Sequence, residues 1–261
     1  MRKNDSANRR RFSGSPIPRF GSSAVRPSGS AAAIIVAGGK GRRFGGRVRK
    51  QYLRLGGRPL LWWSLTAFEK CPSVSSIVLV APAGDLPVLR ARARRWKIKK
   101  LKAVVSGGKT RADSVRAGLR AVGPEAAWIA VHDAVRPLVT VDVIEKTLAE
   151  ARRFGAAIAA VPSKDTVKLS HPRGHVRATP ERASVWLAQT PQVFARRLLE
   201  DAHRRGRRRA VTDDAQLVER LGIRVRLVEA SPENIKVTLP LDLVLAKALI
   251  KKQFKKLLLS R

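Results

Sequence analysis

The sequence predicts an α/β protein with a doubly wound, mostly parallel β-sheet. Short apolar runs alternate along the chain with segments in which apolar residues recur at helical spacing. Strands that are each followed by a helix are typical of a parallel sheet with helices on both faces. In such sheets ligands bind in the crevice at the carboxyl ends of the strands, so the loops after the strands are the candidate functional regions.

The alternation of apolar runs and helical spacing begins at residue 31. The apolar runs predict strands at 31–37, 76–81, 103–105, 127–131, 156–161 and 224–228. The helical spacing predicts helices at 59–70, 85–96, 111–121, 141–153, 194–204, 213–221 and 240–254. Pro240 suits the first turn of the last helix, because a backbone N–H is not needed there.

Residues 162–193 break the alternation with a polar–apolar pattern that contains several turn signals. The turn signals are Pro172, Gly174 and Pro180. We expect a β-hairpin with one strand at Val167 and Leu169 and a return strand at Val176 and Ala178. A hairpin that projects from the sheet has open edges, which another subunit could cover.

The composition fits one sizeable domain or two small ones with a buried core. Of the 261 residues, 44% are hydrophobic. No run approaches the roughly 18 to 20 apolar residues that a membrane span needs. Cys71 is the single cysteine, which excludes an internal disulfide framework, and no Cys/His cluster has the spacing of a zinc site. We therefore expect a protein of the cytoplasm.

Basic residues are in large excess: 54 Lys and Arg face 19 Asp and Glu, which gives a formal net charge of +35. Such a charge attracts phosphates, including those of nucleic acids. The cations are spread over the whole chain, and aromatic residues do not interleave with the basic runs as they do in a base-stacking surface. We therefore favour a solvated basic surface over a dedicated nucleic-acid site.

The two ends of the chain differ from its centre. Residues 1–30 are rich in Ser, Gly, Pro and Arg and have no apolar period, which predicts a disordered basic tail. An organelle transit peptide is the less favoured alternative, because amphipathic spacing is absent. Residues 31–254 form the predicted domain, and residues 255–261 form a basic C-terminal tail.

The loop after the first strand, at 37–44, reads AGGKGRRF. Its glycines let the backbone approach a ligand, and consecutive N–H groups can form an anion-binding concavity. Lys40, Arg42 and Arg43 add cations, and Lys50 follows within RKQYL. The loop has neither the G-x-x-x-x-G-K-[ST] nor the G-x-G-x-x-G pattern, which argues against a P-loop nucleoside triphosphatase and a dinucleotide-binding dehydrogenase. A tight basic turn is the alternative to an anion site.

The second candidate loop reads SGGKTRADSV and again has paired glycines, at 107–108. Arg111 and Ser114 lie one turn apart, on the same face of the helix that follows. The loop is either a tight strand-to-helix turn capped by Thr110 or a second contact for the same ligand. In the second case Ser114 and the glycine backbone could read the edge of a base.

Three further stretches carry polar residues at or near strand ends. In VHDAVRPL, Asp133 could accept a sugar hydroxyl or lie near a metal, and Arg136 could meet a phosphate. PENIKVTLPLDL supplies Asn234 and Lys236 before the last helix. In TDDAQL, Thr212 is either the N-cap of a helix with acidic residues in its first turn or a functional residue.

Taken together, these stretches resemble the 2-C-methyl-D-erythritol 4-phosphate cytidylyltransferases of the non-mevalonate isoprenoid pathway. The resemblance covers residues 31–250 and rests on eight motifs in the family's order and spacing. The motifs are AGGKGRRF, KQY, GGKTRADSV, HDAVRP, KDTV, QTPQVF, TDDA and NIKVT. The resemblance implies a Rossmann-like nucleotidyltransferase sheet and a homodimer formed through the hairpin, a dimerisation arm at 163–186.

The resemblance also implies a reaction. CTP and methylerythritol phosphate give 4-diphosphocytidyl-2-C-methyl-D-erythritol and pyrophosphate, with Mg²⁺ carried mainly by the triphosphate and with no protein metal ligand assigned. The substrate phosphate attacks the α-phosphorus of CTP, so the protein supplies positioning and charge stabilisation. The implied partners are CTP, a small polyol phosphate and a second copy of the chain, without a specific nucleic acid and without a membrane.

The family's functional residues match positions in all of these stretches. The implied catalytic residues are Arg43, Lys50, Arg182 and Lys236. The implied nucleotide-binding residues are Ala37, Gly38, Gly39, Lys40, Gly41, Arg42, Gly108, Lys109, Arg111, Ser114 and Asp133. The implied substrate-binding residues are Asp133, Arg136, Thr166, Arg182, Thr190, Thr212 and Lys236. In the family, the residue that matches Arg182 lies on the arm and reaches the neighbouring subunit's site.

Two positions depart from the family's pattern, and two other functions stay open. Gly38 stands where alanine is commoner, and Lys109 stands where an acidic residue is often found. A cytidylyltransferase for another polyol phosphate, such as ribitol 5-phosphate, would have nearly the same nucleotide loops. A basic nucleic-acid-binding protein on an inherited enzyme scaffold would explain the net charge, but it predicts the loss of Arg43, Lys50 and Lys236, which are all present.

Overall fold

The computed structural model describes residues 29–38, 49–206 and 210–259, with side chains as far as residue 252. Residues 39–48, which include most of the first glycine loop, and nearly all of the predicted N-terminal tail lie outside the described residues. The strands are β1 Ser30–Val36, β2 Arg54–Leu55, β3 Arg58–Pro59, β4 Val74–Ala81, β5 Leu101–Ser106, β6 Ala126–Asp133, β7 Ala156–Pro162, β8 Leu169–Ser170, β9 Val176–Ala178, β10 Trp186–Ala195 and β11 Arg226–Glu229. The helices are α1 Leu60–Lys70, α2 Leu86–Arg95, α3 Arg111–Ala121, α4 Val141–Phe154, α5 Arg196–Arg205, α6 Ala215–Glu219 and α7 Pro240–Leu259.

Seven of the strands form one sheet, in the order β11, β7, β10, β6, β1, β4 and β5. β10 runs antiparallel to both of its neighbours, and the other neighbouring strands of this sheet run parallel. The predicted α/β class with a mostly parallel sheet is therefore confirmed. Among the helices of the described part, none has the length and apolar character needed to cross a bilayer.

β10 is a strand that the sequence pattern does not predict, because residues 162–193 have the pattern of a hairpin alone. Gln189, Thr190 and Gln192 lie buried within this strand, where a core strand would normally carry apolar side chains. The register with β7 also shifts between Ala188 and Gln192, which interrupts the two-residue period. Because of its polar side chains and irregular register, this central strand lacks the apolar alternation by which strands are recognised in a sequence.

The hairpin within this region is present. β8 and β9 pair in antiparallel orientation as a separate two-stranded sheet, and both strands are exposed. Leu169 and Val176–Ala178 lie in these strands as predicted, whereas Val167 precedes β8. Gly174, in the connecting turn, has φ +88°, a conformation that glycine adopts without strain.

The helices begin and end close to the predicted positions, except that α7 continues to Leu259 instead of ending at residue 254 and that α6 begins later. This helix starts at Ala215, and its N-cap residue is Asp214. The predicted N-cap at Thr212 is therefore wrong. The Asp213 carboxylate instead accepts the backbone N–H of Gln216 at 3.0 Å, which satisfies one of the open donors of the first turn.

Helix α3 packs closely against the sheet through Gly118. A Cβ atom at this position would lie 2.5 Å from Cγ2 of Ile34, which is fully buried in β1. Thr110 caps the helix and forms a capping box with Asp113, as one interpretation of the second loop predicted. The first turn of α3 is thereby held next to the loop that follows β1, and residues of both lie in one cavity.

Candidate active site

A cavity of about 520 Å³ lies at the carboxyl ends of β1, β5 and β6. Its lining residues are Val36, Ala37, Gly38, Lys50, Gln51, Gly108, Lys109, Thr110, Arg111, Ser114, Asp133, Val135 and Lys236. These residues come from four separate stretches that the sequence singled out as ligand loops, together with the KQY segment. The fold therefore brings the described parts of the predicted loops together at one edge of the sheet.

The first loop is held where it leaves β1 and where it reaches the KQY turn. The Ala37 N–H donates to the Val80 carbonyl at 2.7 Å, and Nε2 of buried Gln51 donates to the Ala37 carbonyl at 2.7 Å. Gln51 thus ties the turn Lys50–Tyr52 to the end of β1, and Lys50 lines the cavity. The predicted residues Gly39, Lys40, Gly41, Arg42 and Arg43 lie outside the described residues.

The second loop is shaped by Ser114. Its Oγ donates to the Thr110 carbonyl at 3.0 Å and accepts the Gly108 N–H at 3.2 Å. A Cβ at Gly108 would lie 2.2 Å from that of Asp113, so only glycine fits without rearrangement. Ser114 therefore fixes the glycine turn whose backbone lines the cavity. Lys109, in the same turn, is exposed and also lines it.

Asp133 is the acidic centre of the described part of the cavity. Its carboxylate is 2.6 Å from Nζ of Lys236 and 3.1 Å from Nε of Arg111. Burial acts to raise the pKa of Asp133, but the charges of Arg111 and Lys236 outweigh burial and hold the pKa well below its usual range. Asp133 is therefore ionised, with one cation on each oxygen.

Arg111 continues this network into the interior. Its Nη1 is 2.5 Å from Oδ2 of Asp214, and Oδ1 of Asp214 is 2.9 Å from Nε2 of His203. Asp214 and His203 are both almost fully buried, and Oε1 of Gln192 accepts the Asp214 N–H at 3.1 Å. Burial acts to raise the pKa of Asp214, but the adjacent Arg111 charge outweighs it and lowers the pKa. A continuous chain thus links Lys236 at the cavity to His203 on α5.

Sequence reasoning missed Asp214, His203 and Gln192 as parts of the site. Asp214 was interpreted as one of two acidic residues in a helix start, and His203 lies in a helix whose pattern predicts only amphipathicity. The signal that could have found Asp214 is a carboxylate at a position with buried apolar neighbours, Ala215, Leu217 and Val218.

A second polar chain supports the end of β6. Nε2 of His132 lies 3.2 Å from the Arg136 carbonyl, which can only accept, so this nitrogen carries the proton. The Thr190 hydroxyl then donates to Nδ1 of His132 at 3.0 Å, and its oxygen accepts the Asp133 N–H at 3.2 Å. Burial lowers the pKa of His132 to about 3 and keeps the ring neutral. The Thr190 hydroxyl is thus used by bonds within the protein, and it holds the backbone of Asp133 in place.

Arg136 and Asn234 brace the loop that carries Lys236. Arg136 donates from Nη1 to the Asn234 carbonyl at 2.7 Å and from Nη2 to the Ala188 carbonyl at 3.3 Å. Nδ2 of Asn234 donates to Oε1 of Gln189 at 2.8 Å and to the Thr190 carbonyl at 3.0 Å. Burial lowers the pKa of Arg136. Arg136 lies beside the cavity and is not among its lining residues.

Besides Arg136 and Thr190, three predicted substrate residues lie outside the cavity lining. Thr166 follows β7, Arg182 lies in a short turn of the arm, and Thr212 precedes α6. All three are exposed. Within one copy of the chain, the cavity therefore gathers those predicted nucleotide residues that the structure describes, together with Lys50 and Lys236, and leaves the arm residue outside.

A mostly parallel α/β sheet with a glycine turn and a cation-rich cavity at its carboxyl edge is the arrangement found in α/β nucleotidyltransferases. The family model for 2-C-methyl-D-erythritol 4-phosphate cytidylyltransferase matches residues 31–252. The enzyme of that name from Syntrophus aciditrophicus is 43% identical over 224 residues, which cover 85% of this chain and 96% of the relative. The enzyme of the same name from Desulforamulus reducens is 44% identical over 228 residues, 86% of this chain and 97% of the relative.

Solved structures agree with the sequence relatives. The 4-diphosphocytidyl-2C-methyl-D-erythritol synthase of Anaerococcus prevotii superposes with a TM-score of 0.78 at 31% identity, over 85% of this chain and 96% of that chain. The cytidylyltransferase of Thermus thermophilus has a TM-score of 0.69 at 36% identity, over 85% and 99% of the two chains. The chain belongs to the 2-C-methyl-D-erythritol 4-phosphate cytidylyltransferase family. Its class is thus that of the nucleotidyltransferases, and the ribitol phosphate alternative is not favoured.

Proposed function

We propose that the cavity around Asp133 is the site at which this enzyme transfers a cytidylyl group from CTP to 2-C-methyl-D-erythritol 4-phosphate. The products are 4-diphosphocytidyl-2-C-methyl-D-erythritol, an intermediate of isoprenoid precursor synthesis, and pyrophosphate. The observation that carries the proposal is the ionised Asp133 between Arg111 and Lys236, in a cavity that also contains a glycine turn and Lys50.

This reaction needs the protein to position the substrates and to stabilise charge, and it does not need a covalent intermediate with the protein. A phosphate oxygen of the acceptor forms a bond to the α-phosphorus of CTP, and the bond from that phosphorus to the bridging oxygen breaks and releases pyrophosphate. Lys50 and Lys236 place positive charge where negative charge develops. Asp133 orients Lys236 and offers acceptor oxygens to sugar or polyol hydroxyls. Arg43, outside the described residues, stays a predicted third cation.

The donor set fits a magnesium ion held mainly by the nucleotide. Asp133 is the one carboxylate among the described lining residues, and no cluster of three or more His, Cys, Asp and Glu in the described part could hold a metal by itself. Mg²⁺ commonly uses one or two carboxylates, water and substrate phosphates. When bound with CTP, it would neutralise part of the triphosphate charge.

We also propose that the enzyme is a homodimer formed through the hairpin arm. The arm exposes Leu169 and Val176, which are 40% and 61% exposed. Apolar side chains on a projecting hairpin favour cover by another chain. Arg182 lies on the same arm, so a paired copy could bring it to the partner's cavity. A cytoplasmic location stays a prediction.

The site assignment is tested by removing Lys236. Lys236→Ala should lower kcat for pyrophosphate release from CTP, Mg²⁺ and methylerythritol phosphate by about 100-fold or more, as loss of one transition-state donor does. Lys146→Ala is the matched control, because Lys146 pairs with Asp142 on the exposed surface of α4. Equal activity of the two variants would contradict the role of Lys236.

A further inference from the structure

We propose that Asp85 is a positioning residue that holds Lys50 at the cavity. The inference rests on the function proposed above, because it matters only if Lys50 acts on the phosphates. Asp85 follows β4 and is the residue before α2, so it is 35 positions away from Lys50 in sequence. Nothing in the sequence pattern connects the two.

The contacts join Asp85 to both sides of Lys50. The Tyr52 hydroxyl donates to Oδ2 of Asp85 at 2.6 Å, and Nη1 of Arg49 forms an ion pair with the same oxygen. Gln51 is bound separately to the Ala37 carbonyl. The residue before Lys50 and the two residues after it are therefore all anchored by their side chains.

The protonation states agree with this arrangement. Burial acts to raise the pKa of Asp85, but the bonds from Tyr52 and Arg49 outweigh it and lower the pKa, so Asp85 is a carboxylate. Burial raises the pKa of Tyr52, so its phenol is neutral and donates. The guanidinium of Arg92 lies 5.9 Å from the centre of the Tyr52 ring, and its charge also acts to lower the pKa of Asp85.

The Asp85 anchor is one of two side-chain anchors of the turn, and the other is the bond from Gln51 to the Ala37 carbonyl. Lys50 itself also interacts electrostatically with Asp242. Within the turn, the Tyr52 N–H donates to the Arg49 carbonyl and the Leu53 N–H donates to the Lys50 carbonyl. These bonds close the turn but do not set its orientation toward the cavity. A shift of about 1 Å in a positioning group can cost roughly 100-fold in rate. Asp85 and Arg49 are 24% and 43% exposed, so their ion pair contributes little to global stability.

The test is a double-mutant cycle with Lys50, measured as kcat and KM for CTP. Asp85→Ala should lower kcat by about 10- to 100-fold, while the melting temperature stays within about 2 °C of wild type. Asp85→Glu, which keeps the charge, should recover part of the loss. The matched control is Asp201→Ala, which removes an exposed pair with Arg204 on α5 and should leave kcat unchanged.

The cycle distinguishes positioning of Lys50 from any other effect. In a Lys50→Ala background, Asp85→Ala should lower kcat by no more than about twofold, because residues that act through one another are non-additive. A wild-type kcat in Asp85→Ala, or losses that multiply in the double variant, would overturn the positioning role of Asp85. The proposed function would not be affected by either result. An inactive wild-type protein would contradict the proposed function and with it the basis of this inference.

Discussion

Loss of the buried ion pair between Arg111 and Asp214 should lower the free energy of unfolding. Asp214→Asn keeps the shape of the side chain and removes the charge that faces Nη1 of Arg111 at 2.5 Å. Asp214 is 1% exposed, so water cannot replace the lost partner. Arg111 and His203 would then both face a neutral amide in the interior.

The magnitude follows from the burial of each partner. Removing one member of a buried ion pair costs about 3–5 kcal/mol. The Arg111 side chain is 24% exposed and keeps its contact with Asp133, so we expect the lower end, about 3 kcal/mol. For a domain of this size, that corresponds to a fall of about 6–12 °C in melting temperature.

The assay is thermal unfolding followed by circular dichroism, with Asp201→Asn as the matched control. Asp201 pairs with Arg204 within one exposed helix turn, where such pairs contribute about 0.5 kcal/mol or less. The control should therefore melt within about 2 °C of wild type. Equal melting temperatures for the two variants would refute the account of the buried network.

Two further predictions concern the interior of the same edge of the sheet. Because the folded state lowers the pKa of His132 to about 3, the unfolded state binds the extra proton below about pH 6.5, and stability is lost as pH falls from there. Between pH 7 and pH 5, the free energy of unfolding of wild type, measured by urea titration, should fall by about 2 kcal/mol more than that of His132→Gln. Parallel pH profiles of the two proteins would argue against a buried neutral His132. Gly118→Ala should lower the free energy of unfolding by about 1 to 2 kcal/mol, because overpacking outweighs the gain in helix propensity. The control is Gly84→Ala, where a Cβ meets nothing within 4 Å, and equal urea midpoints for these two variants would contradict the close approach of α3 to Ile34.

The parts of the fold that follow a simple period were predictable from the sequence. The parallel strands are apolar runs because neighbouring elements cover them, and the helices carry one apolar face, so both periods are visible. β10 was missed because its buried positions carry Gln189, Thr190 and Gln192. These side chains form hydrogen bonds with Asn234, Asp133 and Asp213. The strand therefore carries polar residues at buried positions and lacks the apolar alternation of an ordinary strand.

The candidate site was predictable where motifs lie at strand ends and unpredictable where the contacts are long-range. Asp133 and Lys236 were identified from their motifs, and the structure joins them at 2.6 Å. The partners that hold the network, Asp214 and His203, come from neighbouring elements with no motif of their own. Pairing of this kind depends on how α5 and α6 pack, which a single sequence does not encode in any local period.

The specificity of the purified chain for its acceptor tests the proposed function most directly. Pyrophosphate release with CTP and Mg²⁺ should be measured as kcat/KM for methylerythritol phosphate and for ribitol 5-phosphate, because this ratio defines specificity. We expect kcat/KM to be at least about 100-fold higher for methylerythritol phosphate, because a site that hydrogen-bonds a substrate's hydroxyls discriminates against a mismatched pattern, and the buried Asp133 carboxylate is proposed to accept them. Equal values for the two acceptors, or no release with either, would contradict the proposed function.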